Sequence, residues 1–66
     1  IHDNPLTGLT RRELEVLSAL ANGRANKQIA KEQEVSLNTV KFHIKNLYSK
    51  LSVHNRAQAV ALYLKS

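Results

Sequence analysis

Lys41, Phe42, Lys45 and Ser49, with Asn38 one turn earlier, carry the side chains of this sequence best suited to gripping a ligand. Drawn on a helix at about 100° per residue, Asn38, Phe42, Lys45 and Ser49 share one side, flanked by Thr39, Lys41 and Asn46. That side offers ammonium groups, amides, hydroxyls and one aromatic ring, and no carboxylate. Ammonium donors without competing acids suit a polyanion. A solvated lysine face is the plainer reading of the same residues, and charge alone does not separate the two.

The opposite side of the segment is apolar. Val40, Ile44, Leu47, Tyr48 and Leu51 recur at i, i+4, i+7, i+8 and i+11, the stripe of a helix that buries one face. Ser36 is placed to cap it, since its hydroxyl can accept from a backbone N–H one turn in. The spacing therefore predicts a helix over about 37–51.

Charge along the chain points the same way. All five acids (Asp3, Glu13, Glu15, Glu32, Glu34) lie at or before position 34, where five basic residues balance them. From residue 35 onward there are Lys41, Lys45, Lys50, Arg56 and Lys65 and no acid, so this half holds the whole formal charge of +5.

Composition removes several function classes. With 66 residues the chain is one small domain. It has no cysteine, so disulfides and thiolate metal sites are excluded. His2, His43 and His54 share no ligand spacing, so no metal is expected. Glu32 and Glu34 are two apart and do not face each other on a helix. There is no nucleophile–base pair, no glycine-rich phosphate loop, and no cofactor is expected; the sequence does not read as an enzyme. The longest apolar run, Ala59 to Leu64, is six residues, far short of a membrane span, and a cytoplasmic setting is expected. Because the chain begins at Ile1, it reads as part of something longer.

Residues 1–8 read as an arm or linker, with turn signals at Asp3-Asn4-Pro5 and Thr7-Gly8. Thr10 and Glu13 form the two ends of a capping box, and Leu9 with Leu14 could make a hydrophobic staple across it. A helix over about 11–22 follows, expected to bury Leu14, Leu17, Leu20 and Ala21 and to stop at Asn22-Gly23. A short helix over about 26–33 turns Ile29 and Ala30 inward. Lys27 in its first turn is unfavourable to the helix dipole, which hints at another use. The link Glu34-Val35-Ser36 is only long enough to turn sharply, giving two helices in a helix-turn-helix arrangement. Asn55 can cap a fourth helix over about 56–65. This last helix is apolar almost all round, with Ala57, Ala61 and Leu64 on one side and Ala59, Val60 and Tyr63 on another. The fold class is thus all-α, a four-helix bundle-like domain over 9–66.

The ordered segments resemble a known family. Leu9-Thr10-Arg11-Arg12-Glu13-Leu14-Glu15-Val16-Leu17 resembles the opening of the LuxR/GerE-type (NarL-like) helix-turn-helix effector domain. Asn26-Lys27-Gln28-Ile29-Ala30 resembles its second helix, and Thr39 to Leu51 its "TVKxHxxNxxxKL" helix. Arg56 with Ala59 and Val60 resembles the start of its last helix. The likeness runs from residue 9 to about 64 and is weakest at Gln33, where the family commonly has Leu.

This resemblance implies sequence-specific binding of double-stranded promoter DNA in bacterial transcription regulation, at the nucleoid, by a dimer that places each third helix in the major groove. It also implies a C-terminal position in a longer regulator whose N-terminal part is a receiver, a small-molecule sensor or a nucleotide-binding module. RNA polymerase is a candidate partner. Lys41, Phe42 and Lys45 match positions that reach base edges. Lys27, Asn38, Thr39 and Lys50 are candidates for phosphate contacts. Lysine can donate to guanine O6 and N7, and an exposed Phe42 could press on a thymine methyl or be a scattered surface hydrophobe. His43, at the edge of the apolar stripe, reads as a half-buried packing residue with a hydrogen bond to backbone or phosphate. The Ala57/Ala61/Leu64 face is expected to meet a second subunit; the rest of a longer chain, or water, would satisfy the same pattern. The rival function is a protein-interaction module that docks an acidic partner on the same helices.

Overall fold

A computed structural model describes residues 6–65. The turn expected at Asp3-Asn4-Pro5 and the residue His2 lie outside the described residues. Four helices follow in order: α1 (Arg11–Ala21), α2 (Asn26–Gln33), α3 (Leu37–Leu51) and α4 (Arg56–Lys65). The described residues contain no strand. The all-α expectation and its four boundaries hold, with α1 closing one residue early at Ala21 and Asn22 serving as its cap.

Local chemistry sets the helix starts. Glu13 N donates to Thr10 Oγ1 at 3.1 Å while Thr10 N donates to Glu13 Oε1 at 2.9 Å, the complete capping box. Thr39 N donates to Ser36 Oγ at 3.0 Å. Gln58 N donates to Asn55 Oδ1 at 2.9 Å. The α2 start differs, because Ala25 at its cap has no side-chain acceptor. Gln28 Oε1 instead accepts from Ala25 N at 2.8 Å.

One device ends the first three helices. Gly23, Glu34 and Ser52 each take a left-handed conformation, with φ of 82°, 56° and 56°. The following N–H then reaches back five residues: Arg24 to Ala19 O at 3.1 Å, Val35 to Ala30 O at 3.0 Å, and Val53 to Tyr48 O at 3.0 Å. Only the first uses glycine. A Cβ at Gly23 would meet no atom within 4 Å, so the cost of Gly23→Ala is conformational, about 1 kcal/mol. Thermal unfolding is expected to show a melting temperature lower by about 4–8 °C.

The helices enclose one core of Val16, Leu17, Leu20, Ile29, Ala30, Val40, Leu47, Leu51 and Ala59. α1 packs on α3 and α4, and α2 packs on α3. Leu6 and Leu9 lie in a turn before α1 and pack against this core. The inward face of α1 is a correction to the sequence reading. Leu14 is 39% exposed and Ala21 only half-buried, while Val16 is fully buried. The true stripe is Glu13, Val16, Leu17 and Leu20, and its first position carries a carboxylate rather than a hydrocarbon. Gln33, where the resemblance was weakest, still closes α2, and its Oε1 accepts from Arg12 Nη1 at 3.2 Å.

α4 settles with Ala59 buried and Val60, Leu62 and Tyr63 packed against the core. The Tyr63 hydroxyl and Ser18 Oγ on α1 are 3.3 Å apart. Ala57, Ala61 and Leu64 are left exposed, Leu64 at 70%. No helix among the described residues is long and apolar enough to cross a membrane.

Candidate nucleic-acid interface

α3 presents a cationic outer face. Asn38, Lys41, Phe42, Lys45 and Ser49 are all exposed, while Val40, Leu47 and Leu51 anchor the other side in the core. Ile44 and Tyr48 sit half-buried at the margin of that stripe. Burial pushes the Tyr48 phenol up, and the Arg56 charge pulls it partly back. Lys41 and Lys45 stand four residues apart, and neither makes an ion pair among the described residues.

The acids are mostly occupied elsewhere. Glu15 lies 3.7 Å from Arg12, Glu32 is 3.1 Å from Arg24, and Glu13 is 2.7 Å from Lys50. Each of these carboxylates belongs to α1 or α2. The outer face of α3 therefore keeps its positive charge uncompensated, while the α1–α2 side is largely neutralised.

Three of the candidate phosphate contacts need comment. Lys27 is exposed in the first turn of α2, next to backbone N–H groups that no cap side chain covers. Thr39 is half-buried rather than outward, and its Oγ1 shares a hydrogen bond of 2.9 Å with Ser36 Oγ. Two hydroxyls hold two protons, so one O–H of the pair remains free to donate. Lys50 donates to Glu13 Oε1 at 2.7 Å, with its side chain 41% exposed and that of Glu13 only 5%. Of its three ammonium donors, two remain.

Two structural roles were invisible in the sequence. The first is the Glu13–Lys50 pair, which ties the start of α1 to the end of α3. Burial raises the Glu13 pKa, but the hydrogen bonds from Lys50 and Thr10 and the lysine charge outweigh it, so the carboxyl titrates below its ordinary value. The second is Arg56, whose Nη2 donates to Leu20 O at 3.0 Å in the last turn of α1 and to Arg24 O at 2.9 Å in the link that follows. Both link residues more than thirty positions apart, and no local spacing announces them. The only advance signal was that Glu13 and Arg56 stand in family motifs. Among the described residues no cluster of His, Cys, Asp or Glu could hold a metal.

A short α2 joined by three residues to a longer α3 with a cationic outer face is a helix-turn-helix. The model of the bacterial regulatory proteins of the luxR family matches residues 7–63. The chain belongs to that family. It is a helix-turn-helix DNA-binding domain of transcription regulation, not an enzyme. It is 58% identical over 64 residues to the "Probable transcriptional regulatory protein SgaR" of Hyphomicrobium methylovorum, covering 97% of this chain and 30% of that protein. Against a nitrate/nitrite response regulator protein homolog of Haemophilus influenzae it is 51% identical over 63 residues, 96% of this chain and 30% of the relative. Against the regulator MalT of Vibrio cholerae it is 50% identical over 52 residues, 79% of this chain and 6% of the relative. The chain thus spans less than a third of the length of these luxR-family relatives.

Proposed function

We propose that this luxR-family domain reads a specific double-stranded DNA sequence by laying α3 in the major groove. Lys41, Phe42 and Lys45 then face base edges, and Lys27, Asn38, Thr39 and Lys50 hold phosphates. One observation supports the reading: the exposed face of α3 is free of acids, and its two lysines make no ion pair among the described residues, while three glutamates of α1 and α2 are each held by a cation. Phosphate contacts fix register and base contacts supply specificity. A reader of bacterial chromosomal DNA works in the cytoplasm.

We further propose that two copies pair through Ala57, Ala61 and Leu64 of α4. These side chains are exposed in the single chain, and Leu64 is a large apolar group with 70% of its surface in water. A two-fold pair would read half-sites about 10–10.5 base pairs apart, centre to centre.

The test is selection from random duplex DNA at low salt, with the bound pool sequenced. A motif appearing twice in two-fold relation supports both reading and pairing. A single half-site supports reading and removes the pairing. No binding at all would leave α3 as a protein-docking face. Ala61→Glu is expected to preserve folding, because Ala61 is exposed. It should convert paired-site binding to half-site binding and leave a monomer in sedimentation. Unchanged sedimentation and paired-site binding in that variant would remove α4 from the interface.

Lys27→Ala separates phosphate from base contacts. The variant is expected to bind all duplex sequences about equally more weakly. Its log–log salt slope should be shallower by about one. Titrations at several salt concentrations check this, and a sequence-selective loss would move Lys27 among the base contacts.

A further inference from the structure

Phe42 and His43 are successive residues on α3, about 100° apart around its axis, so their side chains start out diverging. Their rings nevertheless meet, with centroids 5.9 Å apart and planes inclined at 60°. That separation lies within the range of about 4.5–7 Å over which tilted aromatic pairs attract. Phe42 is 60% exposed, whereas His43 is half-buried at the margin of the core stripe. Among the described residues the His43 imidazole makes neither a hydrogen bond nor an ion pair; its ring contact is with Phe42.

From this geometry we infer that His43 is a specificity-determining positioning residue. Its ring buttresses Phe42, so that the phenyl group meets the C5-methyl of a thymine in a preset orientation. The inference rests on the reading of Phe42 as a base contact. An exposed phenylalanine with no neighbour samples several rotamers and loses that freedom on meeting a base. A half-buried ring beside it removes part of the loss before binding. The lysine contacts do not pass through this ring pair. His43 therefore governs recognition of the methyl group and leaves the electrostatic part of binding alone.

The experiment uses the duplex enriched by selection, with each thymine replaced in turn by deoxyuridine, which lacks only the C5-methyl group. The readout is the ratio of dissociation constants for the two duplexes. Partial misfolding of a variant lowers both affinities equally and leaves this ratio unchanged. Wild type is expected to discriminate about fourfold at one thymine of the half-site, the worth of one buried methyl group. Phe42→Ala should bring the ratio to about one. His43→Ala should cut it to about twofold or less, from loss of the ring contact, with affinity for the deoxyuridine duplex little changed. His43→Tyr should restore it by returning an aromatic ring to position 43.

If Phe42→Ala abolished discrimination while His43→Ala kept it whole, the buttress would be overturned and the Phe42 contact would stand. If His43→Ala weakened both duplexes equally with the ratio intact, His43 would be a phosphate or packing residue instead. A wild-type chain that discriminates at no thymine would overturn the Phe42 reading, and the buttress with it.

Discussion

Lys45→Ala is expected to weaken binding to the selected site by roughly 1–3 kcal/mol, about five- to 150-fold, and to relax preference at about one base pair per half-site. The size follows from what the ammonium can do at a base edge. Lys45 is exposed on α3 and makes no ion pair among the described residues, and in the major groove it can donate to guanine O6 or N7. The same isolation makes the result clean. Alanine is the best helix former, so the substitution does not weaken α3. It also relieves a like-charge contact with Lys41 at i, i+4, worth about 0.2–0.5 kcal/mol. The melting temperature should stay level or rise slightly while affinity falls. Titrations against the site and its single-base variants, beside thermal unfolding, check both halves. A variant that kept full affinity and the same preferred sequence would remove Lys45 from the base contacts.

That opposition between folding and binding explains why the α3 face was legible in the sequence. Two lysines four apart with no acid nearby are slightly unfavourable to a helix, and the apolar period of Val40, Leu47 and Leu51 places them outward without any tertiary knowledge. The helix starts were equally legible, because a cap reaches only three residues: Thr10 to Glu13, Ser36 to Thr39, Asn55 to Gln58. The exposed face of α4 followed from arithmetic, since a helix apolar all round has more apolar surface than one core can cover.

What escaped were the long-range polar contacts, and one of them corrupted a local reading. A glutamate at the first inward position of α1 looks like a surface residue until Lys50, thirty-seven positions later, supplies its counter-charge. Without that partner the apolar stripe is naturally drawn through Leu14 and Ala21, its centre about 60° away from where it lies. Arg56 was unreadable for the same reason, since its acceptors are backbone carbonyls at Leu20 and Arg24 that no side-chain pattern records. Thr39 was placed outward by helical period, but its hydroxyl is drawn towards the cap by Ser36.

The Glu13–Lys50 pair should therefore govern stability, and in a pH-dependent way. Lys50→Met keeps the apolar stem but removes the ammonium. At pH 7 it is expected to destabilise the domain by about 2–3 kcal/mol, the cost of leaving a buried charged group without its partner. A fully buried pair would cost more on losing one member, about 3–5 kcal/mol. Here the lysine is 41% exposed, and Glu13 keeps its bond from Thr10 N. For a domain of this size the loss corresponds to a melting temperature lower by about 10–20 °C. In the wild type the folded Glu13 titrates below its ordinary value of 4.5. Its contribution is thus complete above that value and is lost as pH falls through the lower folded one. In Lys50→Met the two effects of the lysine that lower the pKa are gone. The folded carboxyl of the variant therefore titrates above that of the wild type. The variant's folded state takes up this proton at a higher pH than the wild type's, so as pH falls it recovers stability relative to the wild type. The gap in melting temperature between the two proteins should therefore be smaller near pH 4 than at pH 7. A gap that stayed constant across that range would mean that the loss does not pass through the titration of Glu13, and no gap at pH 7 would mean that Lys50 contributes through its methylene stem alone.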